Sequence, residues 1–516
     1  MRIFWNAGQK EIIKGLDILG LRQIDQEIEK GWVSNITTIS FRVRYLSLLP
    51  WILAEFYYRE LSVSANAAVF DEAANARLAK VLARLEFVVV LASTHGSEWG
   101  ESGVLTGVLG TDVHDGRLAA FSEVGEADLP EEERSGIYGN YVVPCQGFGL
   151  ITFSGGIPQI TPRGKNLVLA RNRALGKQSK LLQLIFDGGK ITTSALENEG
   201  RHFSVNGLSA SQEEQKLLVE AFLIPYTDDP SVVDSYSRLG RTISWAMGLL
   251  RVSPAFSQGL IRRAYQYAVT NPSIKLEEVE KAWAEYELRR RVHFSLELLL
   301  DVLATVLAEQ DHATIPRIIA TLAEENELSN TLQEILGVKT VQWGNTIDSL
   351  KHGGVADAFL ESGVNLRRAR SMTVGNRCVF AIALLIASAK QSALLRNSGQ
   401  IPDRSGYMER VFAILDDYAH RPLFDLIQEV FLHSVIEPHL KTTLRKMAQG
   451  QQCSLRFYPE GNSLRSTGMG VAAGHSGDRL GNVLGMLADL GIFSRMKNGF
   501  SPAPDAAVSL KSYGVV

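Results

Sequence analysis

Apolar residues recur at helical spacing along most of the chain. Ile12, Ile13, Leu16, Leu19, Ile24 and Ile28 fall at i, i+3 and i+4 intervals between Glu11 and Lys30, with breaks at Gly15 and Gly20, and predict an amphipathic helix. Ser40 to Leu61 and Ala65 to Ala92 predict two more; within the first, Pro50 could open a new helix at Trp51. Gln212 to Phe222, Val232 to Leu249, Ser257 to Val269 and Leu276 to Leu307 come next, separated by Pro225, Pro254 and Pro272. The pattern stays helical from 315 to 450. Its longest apolar run, Val379 to Ala389, is about half the ~20 residues of a membrane span. It reads as a buried core helix, and no membrane is expected. Nor does the start at Met1 have the pattern of a signal peptide.

The helical pattern gives way at two places. Gly136 to Val143 predicts a short helix, then Gly147 to Phe153 a turn into a β-type run, Ser154-Gly155-Gly156 a turn, and Ile157 to Lys165 a second strand ending in a helix start. The C-terminal part repeats this order. Asp478 to Leu490 is helical, Gly491 a stop, Ile492 to Arg495 a strand, Lys497-Asn498-Gly499 a turn and Phe500 to Ala503 the return strand. Helix, strand, turn, strand is the order of a winged helix-turn-helix, in which a helix enters a groove and two strands form a wing. The predicted fold is therefore mainly α and multidomain, with two winged-helix-like α/β modules. The expected division is 1–100 helical, 101–200 winged-helix-like, 201–450 helical and 451–516 winged-helix-like. With 516 residues, the chain is long enough for about three to four domains.

Charge changes the picture locally rather than globally. Lys plus Arg number 53 and Asp plus Glu 56, a net of −3, which argues against a histone-like protein but leaves room for a basic face. Residues 121 to 133 hold Glu123, Glu126, Asp128, Glu131, Glu132 and Glu133, and read as a solvated loop. Gln146 to Phe186 has no acid but carries Arg163, Lys165, Arg171 and Arg173; Asn365 to Gln400 likewise carries Arg367, Arg368 and Arg370. The C-terminal module adds Arg479, Asn482, Arg495 and Lys497. These residue types at a helix face and a wing suit phosphate and groove contact. Arg163, Lys165, Arg171, Arg173, Arg367, Arg368, Arg370, Arg479, Asn482, Arg495 and Lys497 are thus the candidate nucleic-acid-binding residues. The competing reading makes them ordinary surface or helix-flanking cations.

Catalytic patterns are sparse. His433, Glu437 and His439 do not share one helix face, and Pro438 disturbs the spacing. Gly164-Lys165-Asn166 and Gly176-Lys177-Gln178 lack the rest of a phosphate loop; Gly474-His475-Ser476-Gly477 is not a nucleophile elbow. A nuclease site could be assembled from scattered residues, for example Asp187, Glu197 and Glu199 with Lys190, although Ile185 to Thr192 reads better as a turn. Cys145, Cys378 and Cys453 form no paired framework, so a reducing cytoplasm is expected, with no metal or cofactor.

Ile36-Thr37-Thr38-Ile39-Ser40-Phe41-Arg42-Val43-Arg44-Tyr45 and Leu48-Leu49-Pro50-Trp51 resemble a motif of uncharacterised bacterial proteins encoded near anti-phage defence genes. Ser135-Gly136-Ile137-Tyr138 and Phe148-Gly149-Leu150-Ile151 are similar to a later part of those proteins. The likeness covers about the first third of the chain and carries no catalytic residue. It implies a cytoplasmic bacterial protein working in a multi-gene complex. The expectation from sequence is a non-enzymatic DNA-binding or adaptor subunit whose partners are duplex DNA and an ATPase or nuclease subunit. The alternatives are a protein-only scaffold and a cryptic metal-dependent nuclease. Arg42 and Arg44 could face a phosphate or hold the helical domain together.

Overall fold

Side-chain caps set where many of the helices begin. Ser135, Thr161, Ser179, Thr192, Thr314 and Asp478 each accept a backbone N–H from the adjoining first turn, satisfying donors that the helix itself cannot. The computed structural model describes residues 17–63, 72–95, 105–131, 135–176, 178–324, 343–347, 369, 371–402, 406–449, 453–471, 473–474 and 478–515. It is mainly helical, with small two- or three-stranded antiparallel sheets. The residues cluster into two units, Glu29–Leu260 with Gly477–Val516, and Met1–Ile28 with Ile261–Ser476. The division does not follow sequence order, since 453–474 clusters with the second unit and only later residues with the first.

In chain order the elements up to the end of the first unit's long segment are α1 (Arg22–Trp32), α2 (Tyr45–Val63), α3 (Glu72–Thr94), α4 (Thr111–Val124), β1 (Glu126–Asp128), α5 (Gly136–Gly147), β2 (Ile151–Ser154), β3 (Ile157–Ile160), α6 (Pro162–Leu175), α7 (Lys180–Asp187), β4 (Lys190–Thr192), α8 (Thr193–Glu199), α9 (Gln212–Leu223) and α10 (Pro230–Val252). Pro50 does not open a new helix: it lies inside α2. Leu46, Leu48, Leu49, Trp51, Ile52 and Leu53 are all fully buried around it, and that packing holds the helix through a missing N–H. The acidic loop is also corrected in part. Glu126–Asp128 is a strand paired antiparallel with β4, Ala127 is buried, and Lys190 Nζ donates to Glu126 at 2.7 Å.

The second unit holds α11 (Ser257–Thr270, which begins in the first), α12 (Glu278–Gln310), β5 (His312–Ala313), α13 (Ile315–Ala323), α14 (Val374–Asn397), α15 (Tyr407–Asp417), α16 (Leu423–Val430), a π-helical turn Phe431–Ile436, α17 (Glu437–Ala448), β6 (Phe457–Glu460) and β7 (Ser463–Ser466). Its core is the packing of α12 on α14, where Leu296, Leu299, Leu303, Phe380, Leu384 and Leu385 are buried. The helix α14 is more than the predicted apolar run. By length and composition it could cross a membrane, and 78% of its apolar window is buried inside the protein. The arginine cluster of α12 is buried as well. Arg289 pairs with Glu285, Arg291 Nε donates to Glu287 at 3.2 Å, and the Arg291 guanidinium lies 4.6 Å from the Tyr265 ring centroid. Pairing of this kind offsets the cost of taking a charge out of water. A third hairpin, β6–β7, extended by β5, was not expected from the sequence pattern.

The last elements return to the first unit: α18 (Arg479–Asp489), β8 (Phe493–Met496), β9 (Gly499–Pro502) and α19 (Ala506–Ser512). Beside β9, Ala255 adds an isolated antiparallel bridge to Phe500.

In the second unit, His439 is buried, its Nε2 accepts the Arg456 N–H at 3.1 Å, and its Nδ1 lies 3.1 Å from the Ile18 carbonyl. Burial chiefly, with Arg456 adding, lowers its pKa to about 4, against the pull of the Ile18 carbonyl. A folded value below the unfolded one means stability is full above about 6.5 and falls as pH drops toward 4. The urea midpoint is therefore expected to decline from pH 6.5 to 4. A His439→Asn variant should start lower at pH 7 and show a flatter decline; an unchanged slope would rule out His439 as the titrating group.

Candidate functional site

The two hairpin modules expected from sequence both form. In the first, α5 leads through Phe148-Gly149-Leu150 into β2, and β3 leads into α6. Ser154 pairs with Ile157, leaving Gly155 and Gly156 as a two-residue turn with φ of 58° and 80°, the left-handed backbone that a tight hairpin turn requires. Thr161 caps α6 through Gly164 N at 3.1 Å, with Pro162 at its first position. In the second, Asp478 caps α18 through Gly481 N at 2.7 Å, and Met496 pairs with Gly499 across Lys497-Asn498.

The cations of these modules are largely tied to the chain itself. Arg171 is turned inward, a correction to its expected outward orientation. Its guanidinium donates to Glu214 at 2.5 Å and to the His202 carbonyl at 2.8 Å, and it lies 4.7 Å from the Trp51 ring centroid. Arg44 completes the arrangement from the other side, donating to Glu214 at 3.0 Å and to the Arg201 and Ser204 carbonyls at 2.8 and 2.5 Å. Ser47 also donates to Glu214. Two guanidiniums thus share one carboxylate, and each also donates to backbone carbonyls. Burial alone would raise the Glu214 pKa; Arg171 and Arg44 override it and hold it down to about 2. Burial, reinforced by Arg44, lowers Arg171 to about 10. Burial and then Arg44, Arg201 and Arg171 lower His202 to about 4.

The other first-module residues divide. Arg163 donates to the carbonyls of Phe148, Glu220 and Ile224 at 3.3, 2.9 and 2.8 Å, so it ties the strand entry to the end of α9. Arg173 is exposed and paired with Glu213. Lys165 is exposed on α6, with no ion pair among the described residues. The helix ahead of this hairpin, α5, carries no cation at any position.

In the second module the polar face of α18 is covered rather than open. Arg479 Nε donates to the Ile36 carbonyl at 2.9 Å and its guanidinium lies 3.6 Å from Glu29. Asn482 donates to the Thr37 carbonyl at 2.6 Å. Asp489 accepts from Arg42 at 3.1 Å, from Val43 N at 3.2 Å and from Arg495 at 2.7 Å. Phe41 lies so close over Gly485 that a Cβ there would meet its side chain at 2.7 Å. The expected outward placement of Arg479 and Asn482 is therefore corrected. The chain's own 29–43 segment occupies it, because those carbonyls, a carboxylate and one aromatic ring fit the face. Arg495 is half-exposed and paired with Asp489; Lys497 alone stands exposed at the turn without an ion pair among the described residues. Arg367, Arg368 and Arg370 lie outside the described residues.

Sequence reasoning missed Asp489 and Glu214 as the anions that consume Arg42, Arg44, Arg171 and Arg495. Acids well separated in sequence gave no local signal. Two of the four nuclease candidates are engaged elsewhere. Lys190 pairs with Glu126, and Glu199 accepts from Ser179, Lys180 N and Leu181 N at the start of α7. His433 sits between Glu429 and Glu437 at 3.4 and 3.2 Å. No group of three or more His, Cys, Asp or Glu able to hold a metal occurs among the described residues. No family model, no curated protein and no solved structure matches the chain.

Removing the shared carboxylate leaves two buried guanidiniums unpaired. Glu214→Gln is expected to cost about 3 kcal/mol or more, read as a lower urea midpoint, whereas Arg173→Ala at the exposed pair should change stability by less than about 1 kcal/mol. Gly485→Ala should cost about 1–3 kcal/mol by forcing Phe41 off α18, with Ala488→Ser on the same helix as a near-neutral control. Equal effects of Glu214→Gln and Arg173→Ala would refute the assignment.

Proposed function

We propose that the protein is a non-enzymatic assembly subunit, an adaptor that binds other proteins, working in the cytoplasm of a bacterium as part of an anti-phage defence complex. The two hairpin modules are winged-helix-like, and in this reading they serve as protein-contact surfaces. The observation that carries it is the use of the cations. Arg163, Arg171, Arg173, Arg479 and Arg495 are all held by the chain's own acids or carbonyls, and the face of the helix that would read a groove is covered from within. What the hairpins offer instead is partly apolar. Phe153 on β2 is 38% exposed and Met496 on β8 is 49% exposed. Aromatic and Met side chains are enriched in protein interfaces, while DNA contact draws on free cations. The defence setting rests on the resemblance of the 36–51 and 135–151 segments. The partner class that fits it is an ATPase or nuclease subunit.

A second reading, contact with duplex DNA, is supported by Lys165 and Lys497, which stand exposed at α6 and at the second hairpin turn. Few phosphates could be neutralised by such a pair, so binding would be weak and its salt slope shallow.

The tagged chain, expressed from its native locus, is expected to purify as a complex of fixed stoichiometry. Phe153→Glu together with Met496→Glu should release a partner while leaving the urea midpoint unchanged. Duplex binding measured from about 50 to about 200 mM salt should give a log–log slope no steeper than about −2. A slope near about −6 that falls on Lys165→Ala and Lys497→Ala, with no co-purifying partner, would overturn the assembly reading in favour of DNA.

A further inference from the structure

A cavity of about 600 Å³ opens in the second unit between α14 and α15, within the size range of small-molecule sites. Ile386, Ala393, Phe412 and Leu415 supply an apolar wall. Lys390, Asn397 and Asp416 line it too, and all three are exposed. Arg396 also reaches the lining, but its guanidinium is held by Glu409. Lys390 and Asp416 have no ion pair among the described residues. The cavity therefore offers one cation and one anion, both available, beside an apolar wall that includes an aromatic ring.

Ser392 adds an independent observation. It lines the same cavity and is 1% exposed, and its hydroxyl has no hydrogen-bond partner among the described residues. A buried helical serine ordinarily satisfies itself on the carbonyl four residues back. Ser388, one turn earlier on α14, does so on Leu384 at 2.7 Å, as Ser295 does on Arg291 and Ser93 on Val89. Ser392 makes no such bond, although an orphaned buried hydroxyl is unfavourable.

We infer that the cavity between α14 and α15 binds a planar aromatic anion bearing an N–H donor. The ring packs against Phe412 and Ile386, the anionic group meets Lys390, the N–H meets Asp416, and a ligand acceptor gives the Ser392 hydroxyl its partner after rotation about χ1. An amino-substituted nucleobase carrying a phosphate and a simple amino-aryl acid share this chemistry.

The probe is 8-anilinonaphthalene-1-sulfonate, which has the ring, the N–H and one sulfonate, titrated into the full chain by fluorescence. Saturable binding of one dye per chain is expected. Lys390→Met should weaken it about tenfold, the scale of one lost charge-assisted hydrogen bond. Ala393→Trp, at an exposed position of the lining, should abolish it by filling the space. Ser392→Ala should weaken it less than Lys390→Met, and circular dichroism should be unchanged in all three variants. Competition separates the two sources: displacement by AMP assigns a nucleotide, and displacement by anthranilate but not AMP assigns the smaller acid. Absence of saturable 1:1 binding, or binding that neither Lys390→Met nor Ala393→Trp alters in folded protein, overturns the proposal.

Discussion

The first unit depends on how two arginines, separated in sequence by Val43 alone, are neutralised. Arg42 reaches Asp489 near the C-terminal end of the chain, and Arg44 reaches Glu214 in α9. A guanidinium cannot shed its proton to escape burial, so each must find an acceptor or stay outside. The segment that carries them is thereby fixed against two separate parts of the unit at once. Its carbonyls at Ile36 and Thr37 then become the natural partners of Arg479 and Asn482, and Phe41 the cover for Gly485. Tyr141 reinforces the same stretch of chain by donating to the Arg42 carbonyl at 2.8 Å.

That constraint bears directly on function. A helix beside a hairpin is equally suited to a nucleic-acid groove or to a protein surface. Which use is open depends on what its polar face already touches. In α18 that face is spent on the 29–43 segment, and in α6 the inward cation Arg171 is spent on Glu214. The apolar side chains left at Phe153 and Met496 are what a partner would meet. The second unit is built differently, on the burial of α12 and α14 against each other, with the arginine cluster of α12 held by neighbours one turn away, as in Arg289–Glu285.

Much of the secondary structure was legible because helical periodicity and capping are local. The helices expected at Gln212 to Phe222 and Asp478 to Leu490 lie within a residue or so of α9 and α18, and both hairpin turns arise from their glycines and flanking apolar residues. The β6–β7 hairpin escaped although Gly461-Asn462 between Phe457-Tyr458 and Leu464 is a turn signal, because its strands are only four residues each and lack a clear apolar alternation. The strand Glu126–Asp128 escaped for a different reason. Three residues rich in acid have no strand propensity, and only pairing with Lys190–Thr192 makes them one.

The sequence by itself determined the helices, the two hairpins and the local excess of cations, since each is written in residues a few positions apart. Only the tertiary structure decided which way those cations face. Arg42 and Asp489 are 447 residues apart, and Arg171 and Glu214 are joined only when α6 meets α9. An ion pair across such distances leaves no periodic trace in the chain, yet the cost of burying an unpaired charge makes it decisive once the chain has folded.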